Sequence, residues 1–131
     1  MTSRPLVRAL STGLLALAAG CVQPPIEPVG LTDVTSRPAE KALLAGIRAY
    51  EDGLYPDAEK QLNTALQAGL SSPKDVAVAQ KHLAFIYCTS NRTPLCEGAF
   101  RDARKADPAF ALSRSEQGHP AWGPVYKRVV P

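Results

Sequence analysis

Few residues of this 131-residue chain carry side chains that could do chemistry, and their spacing decides which chemistry is open to them. His82 and His119 are the two histidines. His82 stands between Lys81 and Leu83 in a stretch of helical periodicity, with no acid three or four residues away to orient an imidazole as a general base. His119 precedes Pro120, a setting that suits a helix cap. Ser113 and Ser115 lack the strand, turn and helix that would present a nucleophilic hydroxyl. A zinc site built from His82, Cys88 and Cys96 would want a fourth ligand and better spacing. Glu51–Asp52 and the group Asp57, Glu59, Lys60 read as solvated faces, and no glycine-rich loop precedes a helix in phosphate-binding form. The sequence therefore offers no catalytic residue, metal ligand or cofactor site, and a non-enzyme is expected.

Cys21 is a different case. Arg4 and Arg8 precede an uncharged stretch from Ala9 to Ala19, rich in Leu and Ala and about 11 residues long. That is the length of a signal-peptide core and well short of the ~20 residues a spanning helix needs. Ala18-Ala19-Gly20-Cys21 closes it with small residues, which an extended backbone in a peptidase pocket requires. Cysteine alone offers a thiol that can carry a diacylglycerol through a thioether. The segment resembles a lipobox, with Ala18 where Leu is commoner; the other reading is an ordinary signal peptide or a buried apolar helix. Cleavage after Gly20 leaves Cys21 lipidated, and two or three palmitate-type acyl chains make a durable anchor. Val22, rather than Asp, follows the cysteine. By resemblance to lipoprotein sorting in Gram-negative bacteria, this implies the outer membrane, with the protein facing the periplasm.

With 15 Lys and Arg against 12 Asp and Glu, the chain carries +3. Removing Arg4 and Arg8 leaves the segment from Cys21 to Pro131 near neutrality. That balance excludes nucleic acid as the main partner, which calls for a basic face with interleaved aromatics. No later run is apolar and long enough to span a bilayer. Cys88 and Cys96 then share an oxidising compartment, where a pair of cysteines is commonly a disulfide.

The elements that must position these residues follow from the prolines. Residues 21–37 form a lipidated linker in which Pro24, Pro25 and Pro28, with Pro38 next, bar regular helix. At ~3.1 Å per residue it reaches roughly 50 Å. Residues 38–131 then show helical periodicity. Ser72-Pro73-Lys74-Asp75 reads as a cap, a proline and an acid, and Thr93-Pro94 repeats the cap and proline. Tyr55-Pro56-Asp57, Asp107-Pro108 and His119-Pro120 mark further starts. Helices are expected near 38–52, 56–69, 73–90, 94–106 and 120–129, with no strand: an all-α fold.

These helices pair into hairpins with a common scheme. Gly46, Tyr50, Gly53, Tyr55, Ala58, Leu62, Ala65 and Leu66 resemble a tetratricopeptide repeat, in which Gly46 and Ala58 allow close helix approach. Leu83 to Tyr87, Cys96, Phe100, Ala103 and Asp107-Pro108 repeat it, with Ala84 in the place of Gly46 and Cys96 in that of Ala58. The offset is 38 residues against the usual ~34, the excess falling around Gly69–Pro73. The alternative is an unrelated pair of helical hairpins. Two repeats bury little apolar surface without a cap, and Phe110, Leu112, Trp122, Val125 and Tyr126 supply one. A Cys88–Cys96 bond would staple the second hairpin, contributing roughly 2.5 kcal/mol; otherwise both are small buried thiols filling a tight contact.

In the repeat family the first helix of each pair lines a concave face. Carried over, that face comprises Leu43, Leu44, Ile47, Tyr50, Lys81, His82 and Phe85, with Cys88 a further candidate. Such a groove suits an extended peptide or an amphipathic helix. The chain's own segment from Trp122 to Val130 is the other candidate to cover it. If the groove is open, Tyr50→Ala with Phe85→Ala is expected to abolish partner capture while helix content persists.

A narrower resemblance spans nearly all of residues 37–126. The runs Arg37-Pro38-Ala39-Glu40, Gly46 to Gly53, Leu83 to Cys88, Cys96, Asp107 to Leu112, and above all Gly118-His119-Pro120-Ala121-Trp122-Gly123-Pro124-Val125-Tyr126 look like the TssQ family of type VI secretion-associated lipoproteins. This resemblance implies a periplasm-facing outer-membrane lipoprotein linked to the contractile secretion machine, with no defined biochemical activity. The expected function is a protein–protein interaction adaptor for an envelope component of that machine. A pilotin-like chaperone and a regulator of a peptidoglycan hydrolase are the alternatives.

Overall fold

A computed structural model describes residues 37–131; the signal segment, Cys21 and the linker to residue 36 lie outside the described residues. The described chain is all-helical: α1 Pro38–Glu51, α2 Tyr55–Ala68, α3 Pro73–Thr89, α4 Thr93–Ala106, α5 Arg114–Gln117 and α6 Gly123–Val129. The four long helices match expectation to within a residue at each end. Pro38, Pro56, Pro73 and Pro94 all fall in first turns, where the missing N–H would have no helical acceptor. Ser72 caps α3 by accepting from the Asp75 N–H. Thr93 does not cap α4: Arg92 holds that position and Thr93 is already helical.

The C-terminal third departs further from the expected pattern. Asp107-Pro108 opens a turn instead of a helix, with Asp107 accepting from the Ala109 N–H through its side chain and from the Phe110 N–H through its carbonyl. The next helix, α5, had not been expected. Its signal is Ser113-Arg114-Ser115-Glu116, a reciprocal capping box in which each side chain accepts from the other residue's N–H. His119-Pro120 likewise leads into a turn, and α6 begins only at Gly123, with Pro124 in its first turn. Gly123 is obligatory because a Cβ there would lie 2.3 Å from the Gln117 carbonyl oxygen.

α1 packs on α2 and α3 on α4 as hairpins, α2 and α3 join them, and α6 closes on α4. The 38-residue offset orders the core. Gly46 and Ala84, Ala58 and Cys96, Leu62 and Phe100, and Ala65 and Ala103 are equivalent pairs, all buried. A Cβ on Gly46 would approach Leu62 Cγ to 2.8 Å, so the glycine is what lets the α1 backbone rest on that side chain. Gly69 ends α2 in the left-handed conformation at φ 89°, which glycine adopts without a Cβ clash. The lengthened turn after it is tied to α1 by a hydrogen bond from the Ser71 hydroxyl to Glu40. In the second hairpin Cys88 and Cys96 form a disulfide with a Cα–Cα distance of 5.2 Å.

The offset also orders the ionic joints. Glu59 on α2 accepts a bidentate pair from Arg92 at 2.9 and 2.8 Å, joining the first hairpin to the second. Arg92 also lies over the Tyr87 ring at 4.7 Å. Glu97 stands 38 residues after Glu59 and pairs with Arg128 of the cap, and with Arg101 one turn along. The cap therefore engages α4 through the carboxylate position that the second hairpin uses on α2.

Candidate functional site

The candidate face is built by α1 and α3, the first helices of the two hairpins, with Tyr55 at the start of α2, and is bounded by the cap. Its main feature is a row of rings. Tyr55 lies 5.5 Å from Tyr50, which meets His82 edge-on at 5.1 Å; His82 contacts Phe85 at 6.2 Å. Phe85 stacks on Trp122 at 4.1 Å, and Trp122 on His119 at 3.4 Å. The tilted and edge-to-face contacts among Tyr55, Tyr50, His82 and Phe85 are individually favourable. The row therefore crosses from the first hairpin, through the second, into the cap.

The cap claims one end of this row. Phe85 is only 4% exposed, held between Trp122 and Phe100. The Trp122 indole N–H donates to the Glu116 carbonyl at 2.8 Å, which fixes the ring. Tyr126 accepts from the Leu112 N–H and packs on Phe100 and Phe110. Of the residues expected to line the face, Leu43 and Phe85 thus belong to the chain's own packing, as does the disulfide-bonded Cys88. The physical reason is that the cap supplies a ring to cover Phe85, while Leu43 turns into the core. Leu44, Ile47, Tyr50, Lys81 and His82 keep accessible surface. Tyr55, 47% exposed, extends the row at its open end.

Lys81 does not stand free on the face. Its ammonium pairs with Glu116 at 2.8 Å and lies 5.7 Å over the Phe85 ring, bridging α3 to α5. Burial alone would raise the Glu116 carboxyl, but the Lys81 and Ser113 hydrogen bonds outweigh it and hold the group below its ordinary range. Glu116 was legible only through its capping box, which does not announce a partner 35 residues away.

His82 and Tyr50 form the polar centre of the row. The His82 Nδ1 lies 2.8 Å from the Val78 carbonyl, a contact the ring can make only by donating from a protonated Nδ1. Burial lowers the His82 pKa from its ordinary 6.5, assisted by Lys81 and opposed by the Val78 bond and the Glu116 and Glu51 charges. The ring is therefore neutral at neutral pH, with Nε2 as an acceptor. Burial, reinforced by Tyr55 and Glu116, raises the Tyr50 phenol, which stays protonated and can donate. The face thus pairs one donor and one acceptor with apolar ring surface, which suits peptide groups.

The other chemistry-bearing groups are engaged locally. The Ser113 hydroxyl caps α5 and contacts Ser115; His119 Nδ1 accepts from the Ala121 N–H, capping a turn rather than a helix. Among the described residues no three His, Cys, Asp or Glu side chains are grouped to hold a metal, and no helix is long and apolar enough to cross a membrane. Scanned against protein-family models, curated proteins and solved structures, the chain matches none.

Proposed function

We propose that this chain is a lipid-anchored interaction adaptor: an outer-membrane lipoprotein facing the periplasm, held by Cys21 and binding a protein partner through the Tyr55–Tyr50–His82 row. The observation that carries the reading is that row itself, half-accessible rings with one donor and one acceptor on a rigid pair of hairpins. Such a surface can take an extended peptide or an amphipathic helix without ordering itself first, which lowers the entropic cost of binding. Assignment to the type VI secretion machine, as a TssQ-like lipoprotein, rests on the sequence resemblance of the runs ending at Gly118–Tyr126.

The test is a pull-down from membranes with the lipidated protein. Phe85 is unsuitable for substitution, since its loss would unseat the cap. Tyr50→Ala, with Asp102→Ala on α4 as control, addresses the face alone. Capture of a secretion-apparatus envelope component that Tyr50→Ala loses and Asp102→Ala keeps supports the adaptor. Equal capture by both refutes the site. A secretin-like client mislocalised by Cys21→Ser would point to a pilotin, and a wall hydrolase of altered activity to a regulator. Neighbouring genes for a contractile sheath would bear on the process independently.

A further inference from the structure

The repeat register exposes a second surface, at the end of the array remote from the cap. In α3, Ala79, Leu83 and Ile86 are buried, and Leu83 and Ile86 line clefts shared with Leu66 and Glu59 of α2. The equivalent positions of α1, 38 residues earlier, are Lys41, Ala45 and Arg48. A longer array would bury this α1 face beneath a preceding helix. Here it carries two exposed cations on either side of Leu44, itself 42% exposed. Neither cation has a carboxylate partner among the described residues. Of the nearby acids, Glu40 is bonded to Ser71, while Glu51 and Asp52 follow Arg48 by one turn at the C-terminal end of the helix without forming an ion pair with it. Charges at these positions bar stacking of another hairpin.

We propose that this face of α1 docks on the anionic phospholipid surface that holds the lipid of Cys21. The inference rests on the lipoprotein reading above. Two features select this occupant. The face pairs Lys41 and Arg48 with Leu44, which matches negative headgroups over an apolar layer. α1 is also the first element after the linker, and only residues 22–37 separate its start from Cys21. A linker of that length reaches roughly 50 Å at most at ~3.1 Å per residue, which keeps α1 within range of the surface and turns a weak attraction into an intramolecular one. Docking by α1 leaves the Tyr55–Tyr50–His82 row to the side, accessible to a partner.

The experiment places an environment-sensitive fluorophore on Leu44→Cys in the full chain, and on Asp102→Cys as control, reconstituted in phosphatidylglycerol or phosphatidylcholine vesicles. The expected result is a blue shift and reduced iodide quenching at position 44 in phosphatidylglycerol alone, with position 102 unchanged. Lys41→Gln and Arg48→Gln should each reduce the docked fraction relative to the free form by about five-fold. A probe at 44 that stays exposed on both lipids, or that responds equally to both, overturns the proposal. Position 44 reports docking whatever holds the chain to the vesicle, whereas the mass of the peptide containing Cys21 reports lipidation. An unmodified Cys21 with a responsive position 44 would sink the anchor reading and leave the docking face standing.

Discussion

His82 shows how a single side chain ties the face to the fold. Its lowered pKa means that the unfolded chain binds a proton more readily than the native one, so stability rises with pH across this group's range. The His82 contribution is complete above its ordinary value of 6.5 and is lost as pH falls below it, towards the native value. His82→Phe keeps a ring against Tyr50 and Phe85 but cannot titrate. Urea midpoints measured from about pH 7.5 to 5 should fall more steeply for the native protein than for His82→Phe; parallel curves would show that His82 is not the group responsible. Gly46 makes the same point sterically. Alanine gains about 1 kcal/mol in helix propensity, but its Cβ meets Leu62 at 2.8 Å, and overpacking costs about 1–3 kcal/mol. Gly46→Ala should therefore lose about 1 kcal/mol by chemical denaturation, and Gly46→Val clearly more.

At the scale of elements, the second hairpin and the cap contribute by different means. The Cys88–Cys96 bond closes a short loop, and its removal in Cys88→Ala/Cys96→Ala should cost about 2.5 kcal/mol. Reductant should destabilise the native protein by a similar free energy, seen as a lowered melting temperature, and leave the double variant unchanged. Cys96 sits where the first hairpin has Ala58, so alanine fits there and the measured loss reports the cross-link. The cap acts through burial. Trp122→Ala should cost about 3–5 kcal/mol and uncover Phe85, seen as increased binding of a hydrophobic dye; no change in dye binding would mean that another group covers Phe85. Much of this was legible in the sequence. The prolines marked four helix starts, and the 38-residue offset paired Gly46 with Ala84 and Ala58 with Cys96, because close helix approach demands small residues at fixed spacing. The cap was legible only in composition. Trp122 declares a large apolar surface but not which ring it will cover, and Asp107-Pro108 and His119-Pro120 fit a turn as well as a helix start. Long-range partners such as Lys81 with Glu116, or Glu97 with Arg128, leave no local trace, so the closure of Phe85 could not be read in advance.

For the molecule as a whole, the two ends of the array are finished differently. The C-terminal end is covered by Trp122 and Tyr126, whereas the N-terminal end carries Lys41 and Arg48 where a further hairpin would need apolar residues. Among the described residues the array therefore has two hairpins with an apolar cap at one end and a charged face at the other. With the Cys21 anchor proposed above, lipid, linker and face would follow one another along the chain, so that a partner captured by Tyr50 would be held near the membrane.

The carboxylate–arginine joints have a consequence for how such a chain can grow. Glu59 with Arg92 and Glu97 with Arg128 are the same connector used twice, once between hairpins and once against the terminal helix. A tandem duplication of residues 55–92, inserted after Arg92, would carry its own glutamate and its own arginine. Every carboxylate–arginine joint in the lengthened chain would still find its counterpart once the Cys88 left without a Cys96 is changed to alanine, and the terminal helix would not need to change. Such a 38-residue insertion should yield a folded, monomeric protein with proportionally greater helix signal and one cooperative transition. Loss of cooperativity would show that the connectors hold neighbours together without conferring modularity.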